Sequence, residues 1–178
     1  KYATIVRLQP SVHLKPSALK ERFVMVQPGS MEIYNGILDI ASIKPAPVSA
    51  ILFPKPYNSE EYKDAKIILH FQGGAFVTAT EPNNTGRFPM DIFARKMGAI
   101  TLYARYRLAY TEDTRFPAAL QDLVTFYRYF LNLGINPSNV IIFGDSAGSN
   151  LVIALLRYIK VSKGILPVPY GAMFSDPF

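Results

Sequence analysis

The amino-acid sequence predicts an α/β fold in which a mostly parallel sheet lies between two layers of helices. From Lys66 onwards, the apolar patterns alternate in the order strand, helix, strand, helix, strand, helix, strand. Such alternation is typical of parallel strands joined by right-handed helical crossovers. The strand candidates are almost wholly apolar, as expected when both faces of a sheet are covered. Together these observations predict a three-layer αβα sandwich.

The N-terminal region has the weakest pattern, because prolines interrupt it repeatedly. Within it, residues 19–26 and residues 31–40 are predicted to form short helices. We predict that residues 1–46 form an irregular, cap-like region that covers a face of the core. The core itself is predicted to span residues 47–178.

Five apolar runs in the core region are predicted to be strands, since turn or break signals separate them. They lie at residues 48–53, 66–71, 99–104, 140–143 and 171–174. The polar stretch at residues 57–65 is predicted to be turn-like, and the stretch at residues 81–88 is predicted to be a loop.

Three helices are predicted between these strands. Residues 89–96 have a proline in the first turn and Gly98 at the end, which is the usual asymmetry of helix termini. The second helix opens at Pro117 and stops at Gly134, and its spacing places apolar residues on one face. That face consists of Leu120, Val124, Tyr127 and Leu131. The third helix follows Ser146 and continues to about Lys160.

Composition excludes several classes of protein. Apolar residues make up 49% of the chain and charged residues 18%, which favours a folded domain over a disordered one. No apolar run reaches the ~18 residues of a membrane span, so a soluble protein is expected, with the cytoplasm slightly favoured. Lys and Arg do not cluster, so the net charge of +6 predicts a solvated basic surface and no nucleic-acid site. Without cysteine there are no disulfides or thiolates, and we expect neither a cofactor nor a metal ion.

The Gly-x-Ser-x-Gly motif at residues 144–148 carries the strongest functional signal. It lies between a predicted strand and a predicted helix, which is the context of a nucleophile elbow. On so sharp a turn Ser146 would adopt strained backbone geometry, and a Cβ at either flanking glycine would collide with the neighbouring strand or helix. The start of the following helix would direct free N–H groups at the place where an oxyanion forms.

Acyl transfer needs a nucleophile, a base and hydrogen-bond donors for the tetrahedral oxyanion. We predict that Ser146 is the nucleophile and that the N–H of Ala147 is one donor. Gly73 and Gly74 follow another predicted strand and are predicted to supply the other donors. Because the carboxyl ends of parallel strands meet at one edge of a sheet, the two glycine-containing breaks should lie together.

Four motifs occur in the order and spacing of a known family. They are Gln72-Gly-Gly-Ala-Phe76, Tyr106-Arg-Leu-Ala109, Phe116-Pro-Ala-Ala-Leu-Gln-Asp122 and Gly144-Asp-Ser-Ala-Gly148. Over residues 48–178 the chain resembles the hormone-sensitive-lipase-like branch of the α/β-hydrolases, and it is most similar to fungal esterase-like members. The resemblance implies a serine carboxylester hydrolase whose cap covers an apolar acyl pocket.

The resemblance also assigns expected roles to individual residues. Phe76 and Asp145 are expected to contact the substrate. Tyr106, Arg107 and Asp122 are expected to brace loops rather than to take part in the chemistry.

The sequence departs from the family pattern at Gln72, where the family usually has histidine. That histidine is thought to hold the oxyanion loop, and a glutamine amide can still bond a backbone group. His70 would point to the same face of the strand but deeper in the sheet, so it is predicted to be a core or supporting histidine.

The second departure concerns the catalytic triad, which in this family runs serine, acid, histidine. After Ser146 the chain contains no histidine, and its one remaining acid, Asp176, is predicted to be a turn residue. We therefore expect the chain to be the N-terminal part of a longer hydrolase. The later strands and helices, the triad acid and the histidine would then lie on another chain or in a later segment.

Three functions remain open on sequence grounds. The first is hydrolysis of an uncharged, fairly apolar ester or lactone through an acyl-enzyme on Ser146. The second is a receptor that binds a small molecule in the same pocket without hydrolysing it. The third is an acyltransferase or cyclase of secondary metabolism that uses the same serine with an acceptor other than water.

Overall fold

The computed structural model describes residues 16–62, 64–79, 87–162 and 164–177. Most of the loop predicted at residues 81–88 therefore lies outside the described residues, and Arg87 and Phe88 belong to a helix.

Six strands of the described chain form a single sheet with the order β1-β2-β4-β3-β5-β6. Strands β3 to β6 run parallel to one another, whereas β2 runs antiparallel to both β1 and β4. The strands are β1 (Phe23–Val26), β2 (Val48–Phe53), β3 (Ile67–Phe71), β4 (Ile100–Arg105), β5 (Val140–Asp145) and β6 (Gly171–Ser175). The predicted mostly parallel sheet is confirmed.

Helices cover both faces of this sheet. They are α1 (Ser59–Tyr62), α2 (Arg87–Met97), α3 (Ala118–Asn132) and α4 (Ala147–Val161). Two consecutive residues of β2 pack on opposite faces of the sheet. Leu52 belongs to the large core beneath α3 and α4, whereas Ile51 packs in a smaller cluster with Met90 of α2. The fold is therefore the predicted αβα sandwich.

The prediction of two short helices near the N-terminus is wrong. Residues 17–22 form a 3-10 helix, but the following apolar run pairs with β2 as strand β1. Residues 31–40 contain two separate 3-10 turns, Met31–Ile33 and Gly36–Leu38. Pairing with the sheet outweighs helical spacing in the first case, and Gly36, with a φ of 57°, interrupts the helix in the second.

The segment between β1 and β2 lies against α3 and α4. The Tyr34 hydroxyl is 2.6 Å from Thr125 Oγ1 on α3, and Tyr158 of α4 donates a 2.8 Å hydrogen bond to the carbonyl of Ile33. Gln121 donates to two carbonyls of the segment through its side-chain amide. The described part of the region predicted to be cap-like thus covers these helices, and a cap over the active site stays a prediction.

A buried ion pair joins the connection after β4 to α3. Asp122 is fully buried and accepts hydrogen bonds from the backbone N–H of Arg107 (2.7 Å) and from its Nε (3.0 Å). The Arg107 guanidinium also donates to the carbonyls of Lys44 and Ala118. Burial raises the pKa of Asp122 to about 6, against the opposing effect of Arg107, so the carboxyl is still ionised at neutral pH. The bracing role expected for Arg107 and Asp122 is confirmed by these contacts.

Replacement of Asp122 by alanine should lower the free energy of unfolding by about 3–5 kcal/mol, because it leaves a buried guanidinium without its partner. Urea unfolding measures the change. Glu112→Ala removes an exposed carboxylate from the same connection and should change stability by less than about 0.5 kcal/mol. Equal stability of the two variants would contradict the bracing role.

Candidate active site

Ser146 lies on a sharp turn between β5 and α4. Its φ of 49° and ψ of −119° fall in a region that non-glycine residues rarely adopt, and such strain persists only where the surroundings enforce it. The Ser146 N–H donates a 2.7 Å hydrogen bond to the carbonyl of Ser175, at the end of β6. The residue is half-buried, and no described residue forms a hydrogen bond with its hydroxyl. These are the features predicted for a nucleophile elbow.

The two glycines of the motif permit this turn by close approach. A Cβ on Gly144 would overlap the backbone of Gly148 at the start of α4. A Cβ on Gly148 would overlap the carbonyl oxygen of Phe71, at the end of β3. Helix α4 therefore begins almost in contact with the sheet, which confirms the predicted reason for both glycines.

The glycine loop, defined as residues 72–76, follows β3 and meets the elbow. A Cβ built on Gly73 would lie 3.0 Å from the Cβ of Ser146 and 2.6 Å from Oδ2 of Asp145. The two glycine-containing breaks thus lie side by side at the carboxyl edge of the sheet, as predicted.

The N–H of Gly73 is engaged by Asp145. It donates a 2.8 Å hydrogen bond to Oδ2 of that carboxylate, whose Oδ1 lies 2.8 Å from Nε2 of His70. Gly73 is therefore not a free oxyanion donor in this structure, contrary to the prediction. Asp145 joins the glycine loop to β3, because the residue before Ser146 faces the loop across the sheet edge. Its predicted contact with substrate stays a prediction.

His70 occupies the supporting position expected from the sequence. It is 3% exposed, and its ring stacks on Phe143 with a centroid distance of 4.9 Å. Its Nδ1 is buried without a hydrogen-bond partner among the described residues. In the contact with Asp145, Nε2 carries a proton and donates it, since a carboxylate can only accept.

The carboxyl group of Asp145 has a pKa below its ordinary value. Partial burial raises the pKa of Asp145. The hydrogen bond and electrostatic attraction of His70, together with the hydrogen bond from the N–H of Gly73, lower the pKa by more than burial raises it. The carboxylate is thus kept ionised as an acceptor for both neighbours.

Gln72 is held by two tyrosines. Its Oε1 accepts a 2.6 Å hydrogen bond from the hydroxyl of Tyr103, and its backbone carbonyl accepts a 2.8 Å bond from Tyr106. Burial raises the pKa of Tyr106, so its hydroxyl remains protonated and able to donate. The bracing role expected for Tyr106 is confirmed, and the Gln72 side chain accepts a hydrogen bond from a tyrosine. A bond from the Gln72 amide to a backbone group stays a prediction.

The end of the glycine loop has unusual backbone conformations and N–H groups without described acceptors. Gly74, Ala75 and Phe76 all have positive φ, at 113°, 52° and 64°. Among the described residues, no acceptor is hydrogen-bonded to the N–H of Gly74, Ala75 or Ala147. Phe76 is half-buried against the main core, and its carbonyl accepts from the N–H of Ala109. Its predicted contact with substrate stays a prediction.

Several known proteins are similar to this chain. The model of the alpha/beta hydrolase fold family matches residues 68–175. The chain belongs to this family. An esterase from Acinetobacter venetianus is 31% identical over 113 residues, which cover 64% of this chain and 35% of that protein. An acetyl-hydrolase from Streptomyces hygroscopicus is 29% identical over 116 residues, which cover 65% of this chain and 37% of that protein. Human hormone-sensitive lipase is 28% identical over 130 residues, which cover 71% of this chain and 11% of that protein.

Solved structures place this α/β-hydrolase in the hormone-sensitive-lipase-like branch. The esterase EstE5, in a crystal soaked with p-nitrophenyl butyrate, is 34% identical with a TM-score of 0.61, covering 73% of this chain and 41% of that chain. An esterase from the bacterial hormone-sensitive lipase family is 31% identical with a TM-score of 0.59, and the match covers 74% of this chain and 40% of that chain. The chain spans about a third of the length of the esterase and the acetyl-hydrolase.

Two supporting residues of this α/β-hydrolase have no clear sequence signal. Ser149 donates to the carbonyl of Gly144 (2.6 Å) and is within 2.9 Å of the carbonyl of Ser175, so its hydroxyl joins α4 to the ends of β5 and β6. In the sequence, Tyr103 has the pattern of an ordinary apolar strand residue. Its contact with Gln72 depends on the strand register that places it beside His70.

The described residues contain neither a metal cluster nor a membrane helix. Side chains of His, Asp and Glu do not gather in groups of three in the parts of the chain that the structure describes. None of the helices in those parts combines the length and the apolar character that crossing a membrane requires.

Gly148→Ala should disrupt the elbow, because the new methyl group overlaps the Phe71 carbonyl and α4 cannot approach the sheet. We expect a loss of at least about 1–3 kcal/mol in the free energy of unfolding, the usual cost of overpacking. Thermal melting measures it. Gly171→Ala is the matched control, since its Cβ would meet no atom within 4 Å. Similar melting temperatures for the two variants would show that close approach is not required.

Asp145 should make folding sensitive to acid. Because its folded pKa lies below the ordinary value of 3.8, the carboxylate stabilises the fold above pH 3.8, and this contribution is lost as the pH falls through the lower folded pKa. Urea unfolding between pH 5 and about 3 should therefore show a shallower decline in stability for Asp145→Asn than for the unsubstituted protein. Parallel curves would contradict the assignment.

Proposed function

We propose that this protein is a serine carboxylester hydrolase that forms an acyl-enzyme on Ser146. The observation that supports this most directly is the strained, half-buried serine at a strand-to-helix turn, beside a glycine loop with unused N–H groups. Strain of this kind is concentrated at functional sites.

In the proposed reaction, Ser146 Oγ attacks the ester carbonyl carbon and loses its proton to a base. The carbonyl oxygen becomes an oxyanion, which the N–H groups of Ala147, Gly74 and Ala75 stabilise. Collapse of this intermediate expels the alcohol, which takes up the proton, and leaves an acyl group on the serine. Water then repeats the sequence and releases the acid. Each such oxyanion donor typically contributes ~10²–10³ in kcat.

The donor set differs from the predicted one at a single position. Gly73 is replaced by Ala75, because Asp145 already accepts the Gly73 N–H. Gly74 must remain glycine, since its φ is 113° and a Cβ would overlap Thr78. Ala75 tolerates its φ of 52° with only a methyl side chain.

We propose that the triad acid and histidine are supplied by the remaining part of a longer hydrolase. The sequence has no histidine after Ser146, and His70 is engaged by Asp145. Asp176 is exposed in a turn with a φ of 49°, next to the end of β6. The relatives are about three times as long as the matched region, which leaves room for these groups elsewhere. Without a base, turnover would fall by ~10⁶.

The substrate class follows from the chemistry of the site and its relatives. Uncharged esters or lactones of fairly apolar acids suit a serine nucleophile with neutral backbone donors. Proteins similar to this chain are named esterase and acetyl-hydrolase, and EstE5 was soaked with p-nitrophenyl butyrate. We therefore propose short-chain p-nitrophenyl esters as test substrates.

The full-length protein should hydrolyse p-nitrophenyl butyrate and should be labelled by a fluorophosphonate probe at Ser146. Ser146→Ala should abolish labelling and reduce kcat by ~10⁴–10⁶, because the nucleophile is lost. Ser138→Ala, which alters an exposed serine after α3, is the matched control and should leave both unchanged. Peptide mapping of the labelled protein identifies the modified residue.

Three outcomes would separate the functions. Labelling that persists in Ser146→Ala, or its absence where another esterase is labelled, would contradict the proposal. Tight binding of a small molecule without turnover, unchanged in Ser146→Ala, would favour a receptor. Acyl transfer to an added alcohol or amine in preference to water would favour an acyltransferase.

A further inference from the structure

Gln72 is unusually well held for a residue at the start of a loop. Its side chain is 2% exposed, so its amide is out of reach of bulk water and must find partners within the protein. The Tyr103 hydroxyl supplies one, at 2.6 Å from Oε1. This contact joins two side chains 31 positions apart, and both are buried.

Tyr103 reaches Gln72 because of strand register. Tyr103 on β4 pairs with His70 on β3, and their rings lie 5.1 Å apart between centroids. The hydroxyl of Tyr103 therefore extends past His70 towards the residue that follows β3. The tyrosine ring is anchored in the small cluster with Ile51, Phe53 and Met90, so its hydroxyl has little freedom to move.

Two arms of hydrogen bonds thus end on consecutive residues of the glycine loop. One arm runs from Tyr103 to the side chain of Gln72, and the other runs from His70 through Asp145 to the N–H of Gly73. The peptide between Gln72 and Gly73 immediately precedes the N–H groups of Gly74 and Ala75. A small rotation of this peptide would redirect both groups.

We propose that Tyr103 is a positioning residue for the oxyanion loop, acting through the side chain of Gln72. The proposal rests on the proposed function, because it takes Gly74 and Ala75 as the oxyanion donors. In this chain a neutral tyrosine–glutamine pair performs the task that the family resemblance assigns to histidine at position 72. Tyr103 is buried and donates to Gln72, so we expect its effect to fall on the geometry of the transition state through the loop.

The test measures kcat and KM of the full-length protein with p-nitrophenyl butyrate. In Tyr103→Phe the ring and its packing remain, and only the hydroxyl is lost. We expect kcat to fall about tenfold, less than the ~10²–10³ for removal of a whole oxyanion donor, with KM changed by less than about twofold because ground-state binding is untouched. Tyr127→Phe is the matched control. It also loses a tyrosine hydroxyl that donates to an oxygen, here the carbonyl oxygen of Pro167, but it lies away from the loop. Its kcat should stay within about twofold of the unsubstituted value.

A double-mutant cycle tests whether Tyr103 acts through Gln72. Gln72→Met keeps the length of the side chain but removes its amide, and it should lower kcat to a similar extent. The double variant should then lose no more than Gln72→Met alone, since both changes break one contact. Multiplicative losses, or a Tyr103→Phe kcat equal to that of Tyr127→Phe, would overturn the proposal.

Hydrogen exchange supplies a readout that does not depend on turnover. Tyr103→Phe should accelerate amide exchange in a peptide covering residues 72–76, whereas Tyr127→Phe should not. If the unsubstituted protein neither turns over ester nor labels at Ser146, the proposed function fails, but faster exchange would still support the bracing contact. If the protein is active and exchange in this peptide is unchanged, the positioning role is wrong while the proposed function stands. If Tyr103→Phe does not fold, Gln72→Met alone decides by the same two measurements.

Discussion

The contact between the start of α4 and the end of β3 determines the rest of the site. It is possible because Gly148 has no side chain where the Phe71 carbonyl approaches, and because Gly144 has none where the helix passes over β5. With the helix this close to the sheet, the chain between them must turn within a single residue. Ser146 takes the strained conformation as a consequence, and the hydrogen bond from its N–H to Ser175 ties it to the next strand.

Polar contacts hold the start of the glycine loop. Asp145 accepts from Gly73 and lies in hydrogen-bond contact with His70, while Tyr103 and Tyr106 hold the side chain and carbonyl of Gln72. Buried hydrogen-bonded groups of this kind are costly to leave unpaired, so the network favours one position of the loop. Directional contacts are suited to a loop whose N–H groups must point at a particular place.

The proposed function assigns one part of an acyl-transfer machinery to the described site. Under the proposed function, Ser146 is the nucleophile and Ala147, Gly74 and Ala75 are its oxyanion donors, whereas the sequence has no histidine after Ser146 to act as its base. The relatives, of which this chain spans about a third, have the length to contain such groups. The division is physically reasonable, because the elbow and the glycine loop come from neighbouring strands and form a self-supporting unit.

The parallel sheet and the elbow could be predicted from the sequence, because they depend on residues close together in the chain. The apolar runs and their alternation with helices predicted the parallel sheet, and the glycines of the serine motif predicted the elbow. The tertiary structure decided what depends on distant partners. Residues 23–26 became a strand because β2 was available to pair with them, and the N–H of Gly73 is occupied because Asp145 lies opposite it. The contact of Tyr103 with Gln72 likewise exists only through strand register, which no local pattern encodes.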